Sequence, residues 1–311
     1  MKFLVLGAGA IGGYLGGRLT EAGADVTFLV RHARREQLAR DGLRLHSVFG
    51  DLDCAVATVV AGEVVPVDDL VILTCKAYDL ETAIAAVEPG LAPDGMVLPI
   101  LNGLGHIAIL NEALGEERVL GGTIKLSASR LADGTIKHMN DWHWLHFGEQ
   151  AGGMSERVQS VKAALGGCTG LEAVAHDNIM QEMWEKFVHL ATAAAMTCLM
   201  RANSGQILAT EEGAALFQQM LNTSAAVARA SGYPPSDVFM ETYRALFADR
   251  AGTYATSMLR DIEAGRPTEG EQIIGLMLQR ARELEIDSTL LTAAYAHLKA
   301  YEARQADGGA I

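Results

Sequence analysis

The sequence predicts an α/β protein in which a doubly wound parallel sheet is followed by an all-helical domain. Over residues 2–101, short apolar runs of strand length alternate with helical text, which is typical of a parallel sheet covered by helices on both faces. From about residue 155 onward, strand signals almost vanish and apolar residues recur at helical spacing. We therefore expect two domains, residues 1–172 and residues 173–311.

The first domain begins with KFLVL, an apolar run that stops at glycine and so predicts a buried strand. Strands are expected at 2–6, 25–30, 69–75 and 95–101, helices at 10–22, 33–40 and 79–88, and further strands within 43–60. From 119 to 149 the text changes to an antiparallel meander with a turn at Asp133-Gly134, which we expect to extend or edge the sheet.

The second domain is expected to contain helices only. Some of the helical stretches are separated by the pair Pro234-Pro235 and by Pro267. Helices are expected at 155–165, 178–200, 211–231, 236–248, 251–264, 269–285 and 289–305. The long apolar helices at the C-terminus can supply a homodimer interface or pack internally, and the sequence leaves both assemblies open.

Composition limits the class of protein. Half of the 311 residues are hydrophobic, so a large core is available, and the net charge of −13 argues against a nucleic-acid-binding surface. No apolar stretch reaches membrane-spanning length, and the glycine-rich start does not read as a signal peptide. The four cysteines are far apart without a CxxC pair, which favours structural thiols in a reducing compartment. We expect a cytoplasmic protein with no nucleic-acid or membrane partner.

The first chemical motif is the run Gly7-Ala8-Gly9-Ala10-Ile11-Gly12, which matches GxGxxG between a strand and a helix. Gly7 permits the tight turn, Gly9 lets a diphosphate approach the backbone, and Gly12 lets the helix pack closely on the strand. The diphosphate would then bind N–H groups at the positive end of the helix. This predicts a Rossmann-type dinucleotide site, the alternative being a glycine-rich turn that binds nothing.

The end of the second strand predicts which dinucleotide binds. An acid there would bind the ribose hydroxyls of NAD, but the strand ends Leu29-Val30-Arg31 and arginines follow. Arg31 can make a bidentate contact with the 2′-phosphate of NADP. The sequence favours NADPH as the cofactor, the alternative being a solvated basic loop.

The second chemical feature is Lys186, which lies within the apolar helix MWEKFVHLATAAAMTCLM. A lysine on an apolar face is costly unless it is paired or faces a cavity, and desolvation lowers the pKa of a lysine and so suits it to proton transfer. The alternative is a lysine on the exposed stripe of the helix.

Taken with these features, five segments resemble the ketopantoate reductase family (2-dehydropantoate 2-reductase). They are GAGAIGGYLG at the start, CKAYD at 75–79, LNGLG at 101–105, WEKFV at 184–188 and TSMLRDIEAGRPTE at 256–269. The resemblance covers nearly the whole chain in order and spacing.

The resemblance implies roles for six residues. Lys186 is implied to protonate the oxygen as hydride reaches the adjacent carbon, and Glu269 to hold the cofactor and a substrate hydroxyl. Ser257 is implied to contact the substrate carboxylate, and Asn102 the nicotinamide ribose and the substrate. Lys76 is implied on the phosphate side of the cofactor, and Ser127 as a backbone contact to its nicotinamide end.

The chain departs from the family after the lysine. The family presents asparagines one and two turns later, where this chain has Leu190 and Ala194, and its asparagine–glycine pair is matched by Ser204-Gly205 after Asn203. Residues four apart line one helix face, so the predicted substrate wall is apolar. Either His189, Thr192 or Asn203 compensates and ketopantoate remains the substrate, or the pocket accepts a bulkier, more apolar 2-oxo acid.

Three functions therefore remain open. The first is NADPH-dependent reduction of ketopantoate to pantoate, in the synthesis of pantothenate and coenzyme A. The second is a reductase of the same architecture for another 2-oxo acid or an imine, and the third is an NADP-sensing binding protein without turnover. No metal site is expected, because His143 and His146, three apart in a strand, would face opposite sides.

Overall fold

The computed structural model describes residues 1–66 and 68–309 and divides the chain into two compact units. The first comprises Met1–Leu101 and His106–Met180, and the second comprises Asn102–Gly105 and the chain from Gln181 onward. Among the described residues, no helix combines the length and the apolar character needed to cross a bilayer. The chain is thus an α/β protein with a Rossmann-type first unit and a helical second unit, which confirms the predicted fold class.

Ten strands lie in the described chain before Met180. They are β1 Lys2–Leu6, β2 Asp25–Leu29, β3 Leu43–His46, β4 Leu52–Cys54, β5 Ala57–Val59, β6 Asp68–Leu73, β7 Leu91–Pro99, β8 Gly121–Arg130, β9 Ile136–Gly148 and β10 Glu172–Ala175. Five of them form an all-parallel sheet in the order β5-β2-β1-β6-β7. The central strand β1 carries Leu4 and Val5, both buried, as expected for a parallel strand covered on two faces.

The remaining strands form a second sheet, so the meander does not extend the first sheet as expected, although a parallel bridge, Val97↔Val119, joins its start to the edge strand β7. Strand β9 pairs with β8 in antiparallel fashion and with β10 and β3 in parallel, and β4 completes the order β10-β9-β3-β4. One hydrophobic core cluster joins Phe28 of β2 to Phe147 of β9 through Leu15 and Leu19 of the first helix. The inner face of β9 is buried against that helix, so the second sheet forms a separate layer that packs on α1.

Twelve α-helices lie in the described chain. They are α1 Ala10–Glu21, α2 His32–Asp41, α3 Leu80–Val87, α4 Gly105–Leu114, α5 Glu156–Leu165, α6 Ile179–Met200, α7 Ser204–Leu208, α8 Glu211–Ala230, α9 Asp237–Leu246, α10 Ser257–Glu263, α11 Leu276–Glu283 and α12 Thr289–Ala306. Most follow the predicted ranges closely. The expected helix 251–264 begins six residues late, because Thr256 accepts a hydrogen bond from Leu259 N and so caps α10. The expected helix 269–285 starts as a π-helix at Glu271–Gly275.

The division between the units differs from the expected boundary after residue 172. Strand β10 pairs with β9 in register from Glu172↔Trp144 to Ala175↔Phe147, so this strand belongs to the second sheet of the first unit. The first unit continues to Met180, the second residue of α6. The turn at Asp133-Gly134 forms as expected, with Gly134 at φ +87° and Leu131 N donating to Thr135 O.

Candidate functional site

The glycine-rich turn follows β1 at the carboxyl edge of the parallel sheet. Gly7 adopts φ +90° and its N–H donates to Leu29 O at 2.8 Å, while Thr74 Oγ1 donates to Leu6 O at 2.8 Å. The end of β1 is therefore held by the neighbouring strand β2 and by the residue that follows β6. In open α/β sheets, ligands bind outside the carboxyl ends of the strands at such a point.

Two glycines of this turn have different surroundings. A Cβ on Gly12 would lie 2.2 Å from Gly7 O and 2.4 Å from Thr74 Oγ1, so only glycine lets α1 pack here. A Cβ on Gly9 would meet nothing within 4 Å, and Gly9 begins α1 with an extended backbone, φ −83°. Ala8 is buried, and Ala10 and Ile11 are half-buried. The open space beside Gly9, at a helix N-terminus, fits the diphosphate of a dinucleotide.

Arg31 immediately precedes α2, and its side chain is 88% exposed. Its Nη2 lies 3.4 Å from Oδ2 of Asp79, a carboxylate that the sequence analysis did not place at this point. Lys76, the predicted phosphate-side lysine, is half-buried and precedes the short 3₁₀ turn Ala77–Asp79. The structure thus adds an acid to the basic end of β2, and no signal next to Arg31 in the sequence could have revealed it.

Arg34 is a further residue that the sequence analysis did not assign to the site. Its Nε donates to Ala8 O at 3.2 Å and its Nη2 donates to Gly134 O at 3.1 Å. Burial, reinforced by the nearby Arg130, lowers the pKa of Arg34, although an arginine remains protonated. Arg34 therefore ties the glycine-rich turn to the β8–β9 hairpin.

Ser127, half-buried in β8, lies between Leu126 and Ala128, where the register with β9 shifts.

In the second unit, α6 presents Lys186 on its half-buried face. Met183, Trp184, Phe187 and Val188 around it are buried, and Trp184 stacks on Tyr233 with ring centroids 5.5 Å apart. The buried apolar residues therefore anchor the helix, and Lys186 lies on the side of the helix that solvent partly reaches.

The two positions that replace family asparagines differ in burial. Leu190, one turn after Lys186, is half-buried, whereas Ala194, two turns after it, has no exposed surface. His189 stacks on Tyr243, with centroids 4.4 Å apart and planes at 25°, and lies 5.6 Å from the Tyr254 ring. Burial, together with the nearby Glu185 carboxylate, raises the pKa of Tyr243 to about 12. The helix face beside Lys186 is thus lined by an aliphatic side chain and an aromatic stack.

The segment around α7 and α10 contains three more predicted residues. Asn203 Oδ1 accepts from Gln206 N at 2.9 Å, and Gln206 Oε1 accepts from Asn203 N at 3.0 Å, which is a capping box. Ser204 N donates to Tyr254 O at 2.9 Å, three residues before Ser257, the first residue of α10. The Ser204 hydroxyl is buried and has no hydrogen-bond partner among residues 1–66 and 68–309. Asn203 therefore has a structural role in addition to the predicted substrate contact.

Glu269 is 2% exposed and lies just before the π-helix. Helix α12 holds the segment on the N-terminal side of Glu269, because Tyr301 Oη donates to Arg266 O at 2.9 Å and Thr268 Oγ1 donates to Glu302 at 3.4 Å. A carboxyl buried this far must be hydrogen-bonded or ion-paired.

Asn102 joins the same region of the second unit. The following residue, Gly103, has φ +81°, and a Cβ on it would lie 2.9 Å from Gln272 O in the π-helix. Only glycine combines that conformation with that approach. The structure therefore brings the Asn102-Gly103 segment against the turn that follows Glu269.

A histidine pair in the first unit was not foreseen. His146 Nδ1 lies 2.6 Å from Nε2 of His176, and the two rings are 4.7 Å apart. At this separation the two nitrogens share one hydrogen, so one ring donates and the other accepts. His143 instead contacts Phe49 and stacks on Trp144. The expectation that no metal binds this chain stays a prediction.

Comparisons with known proteins match nearly the whole chain. Residues 3–152 match the family model "Ketopantoate reductase PanE/ApbA", and residues 178–302 match its C-terminal counterpart. An uncharacterized oxidoreductase of Bacillus subtilis, YkpB, is 36% identical over 98% of this chain and its own full length. The 2-dehydropantoate 2-reductase of Halobacterium salinarum is 31% identical over 92% of this chain and 94% of its own.

Solved structures share the fold. The crystal structure of 2-dehydropantoate 2-reductase from Methylococcus capsulatus superposes with a TM-score of 0.87 at 30% identity, over 98% of each chain. A D-mandelate dehydrogenase solved with NADH and anilino(oxo)acetate has a TM-score of 0.86 over 98% of this chain and all of its own, at 22% identity. The second likeness concerns the fold alone.

Proposed function

Because the chain belongs to the ketopantoate reductase family of oxidoreductases, we propose that it reduces a 2-oxo acid, in the first instance 2-dehydropantoate, with NADPH. The observation that carries the proposal is Lys186, a half-buried lysine on a helix otherwise anchored by buried apolar side chains. An ammonium group at this position could stabilise the negative charge that hydride transfer builds on a carbonyl oxygen.

Residues of the first unit would hold the cofactor. The open space beside Gly9 and the N-terminus of α1 would receive the diphosphate, and Arg31 would receive the 2′-phosphate. Lys76 and the backbone at Ser127 would contact the phosphate and nicotinamide ends. When bound, the dihydronicotinamide supplies a hydride to the carbonyl carbon of the substrate.

Residues of the second unit would bind the substrate and move the proton. Lys186 would stabilise the negative charge that develops on the carbonyl oxygen and then donate its proton to that oxygen. Ser257 would bind the substrate carboxylate, and Asn102 and Glu269 would hold the substrate in position, since Gly103 packs on the turn that follows Glu269. Asn203 and Ser204 complete the proposed substrate contacts.

A second candidate substrate is a bulkier, more apolar 2-oxo acid. Half-buried Leu190 favours it, because this residue follows Lys186 by one helical turn and offers no hydrogen bond to a substrate hydroxyl. The aromatic stack of His189 on Tyr243 lies beside it.

The test is NADPH oxidation by the purified chain with a panel of 2-oxo acids, from ketopantoate to branched and aryl 2-oxo acids. Fast turnover of ketopantoate alone supports the first candidate, and preference for an apolar acid supports the second. Binding of NADPH without turnover of any member would instead favour an NADP-sensing protein.

Location and assembly belong to the same proposal. None of the four cysteines, all of which lie in the described part of the chain, forms a disulfide, which agrees with a cytoplasmic protein. A homodimer remains part of the proposal, and sedimentation velocity at several concentrations measures it directly.

A further inference from the structure

The loops that follow β2 and β6 meet beside the glycine-rich turn. In the sheet order β2-β1-β6, these loops flank the end of β1, and each leads into a helix, α2 after Arg31 and α3 after Asp79. Arg31 Nη2 and Asp79 Oδ2 are 3.4 Å apart, so an ion pair joins the two loops next to the proposed adenosine end of the dinucleotide site.

The carboxylate of Asp79 does not cap the helix that begins after it. Asp79 occupies the N-cap position of α3, where aspartate ordinarily accepts a hydrogen bond from a backbone N–H in the first turn. Within the described part of the chain, its side chain makes no such capping bond to α3, and it pairs with Arg31 instead. The Asp79 backbone is fixed independently, since its N–H donates to Lys76 O at 2.9 Å and its carbonyl accepts from Thr82 Oγ1 at 3.1 Å.

An acid at this place is expected to weaken the binding of NADPH and to strengthen the binding of NADH. A 2′-phosphate that binds Arg31 must compete with the carboxylate for the guanidinium and is repelled by it. A free 2′-hydroxyl can instead donate a hydrogen bond to the carboxylate, which is the role an acid at the end of β2 has in NAD-binding proteins. Asp79 supplies, from the loop that follows β6, the negative charge that the end of β2 lacks.

We propose that Asp79 is a specificity-determining residue of the dinucleotide site, which draws the preference of Arg31 for NADPH back toward NADH. This inference rests on the proposed function, because it concerns the cofactor of that reaction. One arginine and one aspartate then set the cofactor preference of the chain. Removing the charge of Arg31 shifts the preference toward NADH, and removing the charge of Asp79 shifts it toward NADPH.

The experiment measures binding of two probes to the purified chain by calorimetry, adenosine 2′,5′-bisphosphate and 5′-AMP. Asp79→Asn is expected to tighten the bisphosphate by about 1.5- to fivefold, the range for an exposed charge pair, and to leave 5′-AMP unchanged or weaker. Asp41→Asn is the matched control, because it removes the same charge at the far end of α2, where Asp41 pairs with Arg40. The control is expected to shift neither ligand.

Two further measurements separate electrostatics from a structural effect. The gain from Asp79→Asn should shrink as salt rises from about 0.05 to about 0.5 M, because exposed charges are screened. In an Arg31→Ala background, the effect of Asp79→Asn on the ratio of the two affinities should shrink, because the competition for the guanidinium is gone and only the direct interaction of the carboxylate with the 2′-substituent remains.

Equal shifts for the two probes, or a shift matched by Asp41→Asn, would overturn the inference and leave the proposed function intact. If the wild-type chain bound neither probe, nor NADPH, nor NADH, the inference and the proposed function would both be lost.

Discussion

The Thr197 hydroxyl lies 2.9 Å from the Thr256 hydroxyl, and both side chains are buried. Thr197 Oγ1 donates to Ala193 O at 2.7 Å, so its single hydrogen is used and Thr256 must be the donor between the two. Thr256 in turn accepts from Leu259 N as the cap of α10. A chain of three hydrogen bonds therefore connects α6, which carries Lys186, to the helix that begins at Ser257.

Thr256→Val is expected to destabilise the protein by about 1–2 kcal/mol, because it removes a helix cap and a buried hydrogen bond together. Thr197→Val should cost about 1 kcal/mol, and the double variant should cost less than the sum, because the two residues share one bond. Urea unfolding of the four proteins measures these values. Thr256→Ser, which keeps the hydroxyl, serves as the control, and additive losses would contradict the shared chain.

Gly9→Ala and Gly12→Ala are expected to separate cofactor binding from folding. The Cβ of Gly12→Ala would meet Gly7 O at 2.2 Å, so we expect a loss of about 1–3 kcal/mol in stability. Gly9→Ala has open space within 4 Å and an ordinary φ, so its melting temperature should stay near the wild-type value while NADPH binding weakens at least about tenfold. Thermal melts and cofactor titrations check both. Unimpaired NADPH binding by Gly9→Ala would place the diphosphate elsewhere.

Leu190→Asn and Ala194→Asn are expected to behave differently although both restore a family residue. Leu190 is half-buried, so Asn there should raise kcat/KM for ketopantoate relative to an apolar 2-oxo acid by about tenfold at little cost in stability. Ala194 has no exposed surface, so an amide there should cost about 1–3 kcal/mol. Steady-state kinetics on the two acids and thermal melts check this. An unchanged substrate ratio in Leu190→Asn would remove Leu190 from the substrate wall.

Lys186→Ala is expected to lower kcat by about 10²- to 10⁴-fold, because the proton donor is lost. The dissociation constant of NADPH should stay near the wild-type value, since the proposed cofactor residues lie in the first unit apart from Asn102 and Glu269. Stopped-flow reduction and fluorescence titration measure the two quantities. Lys162→Ala, an exposed lysine in the last turn of α5, is the control. Full activity in Lys186→Ala would contradict the proposed proton transfer.

The sequence by itself determined the architecture and most of the elements. Apolar runs of strand length, apolar residues at helical spacing and the glycine motif are local signals, and they located β1, α1 and α6 to within a residue or two. The fold class and the family followed from such signals. Local patterns do not say which strands pair, however, so the placement of β9 in a second sheet with β3 and β10 was missed.

Only the tertiary structure decided which distant groups meet. The carboxylate beside Arg31 comes from Asp79, 48 residues away in sequence, and the guanidinium that holds Ala8 O comes from Arg34. It also separated Leu190, which is half-buried, from Ala194, which is wholly buried, although the two share one helix face. The physical reason is that burial and charge pairing depend on strand order and packing, which bring together residues that no local sequence pattern connects.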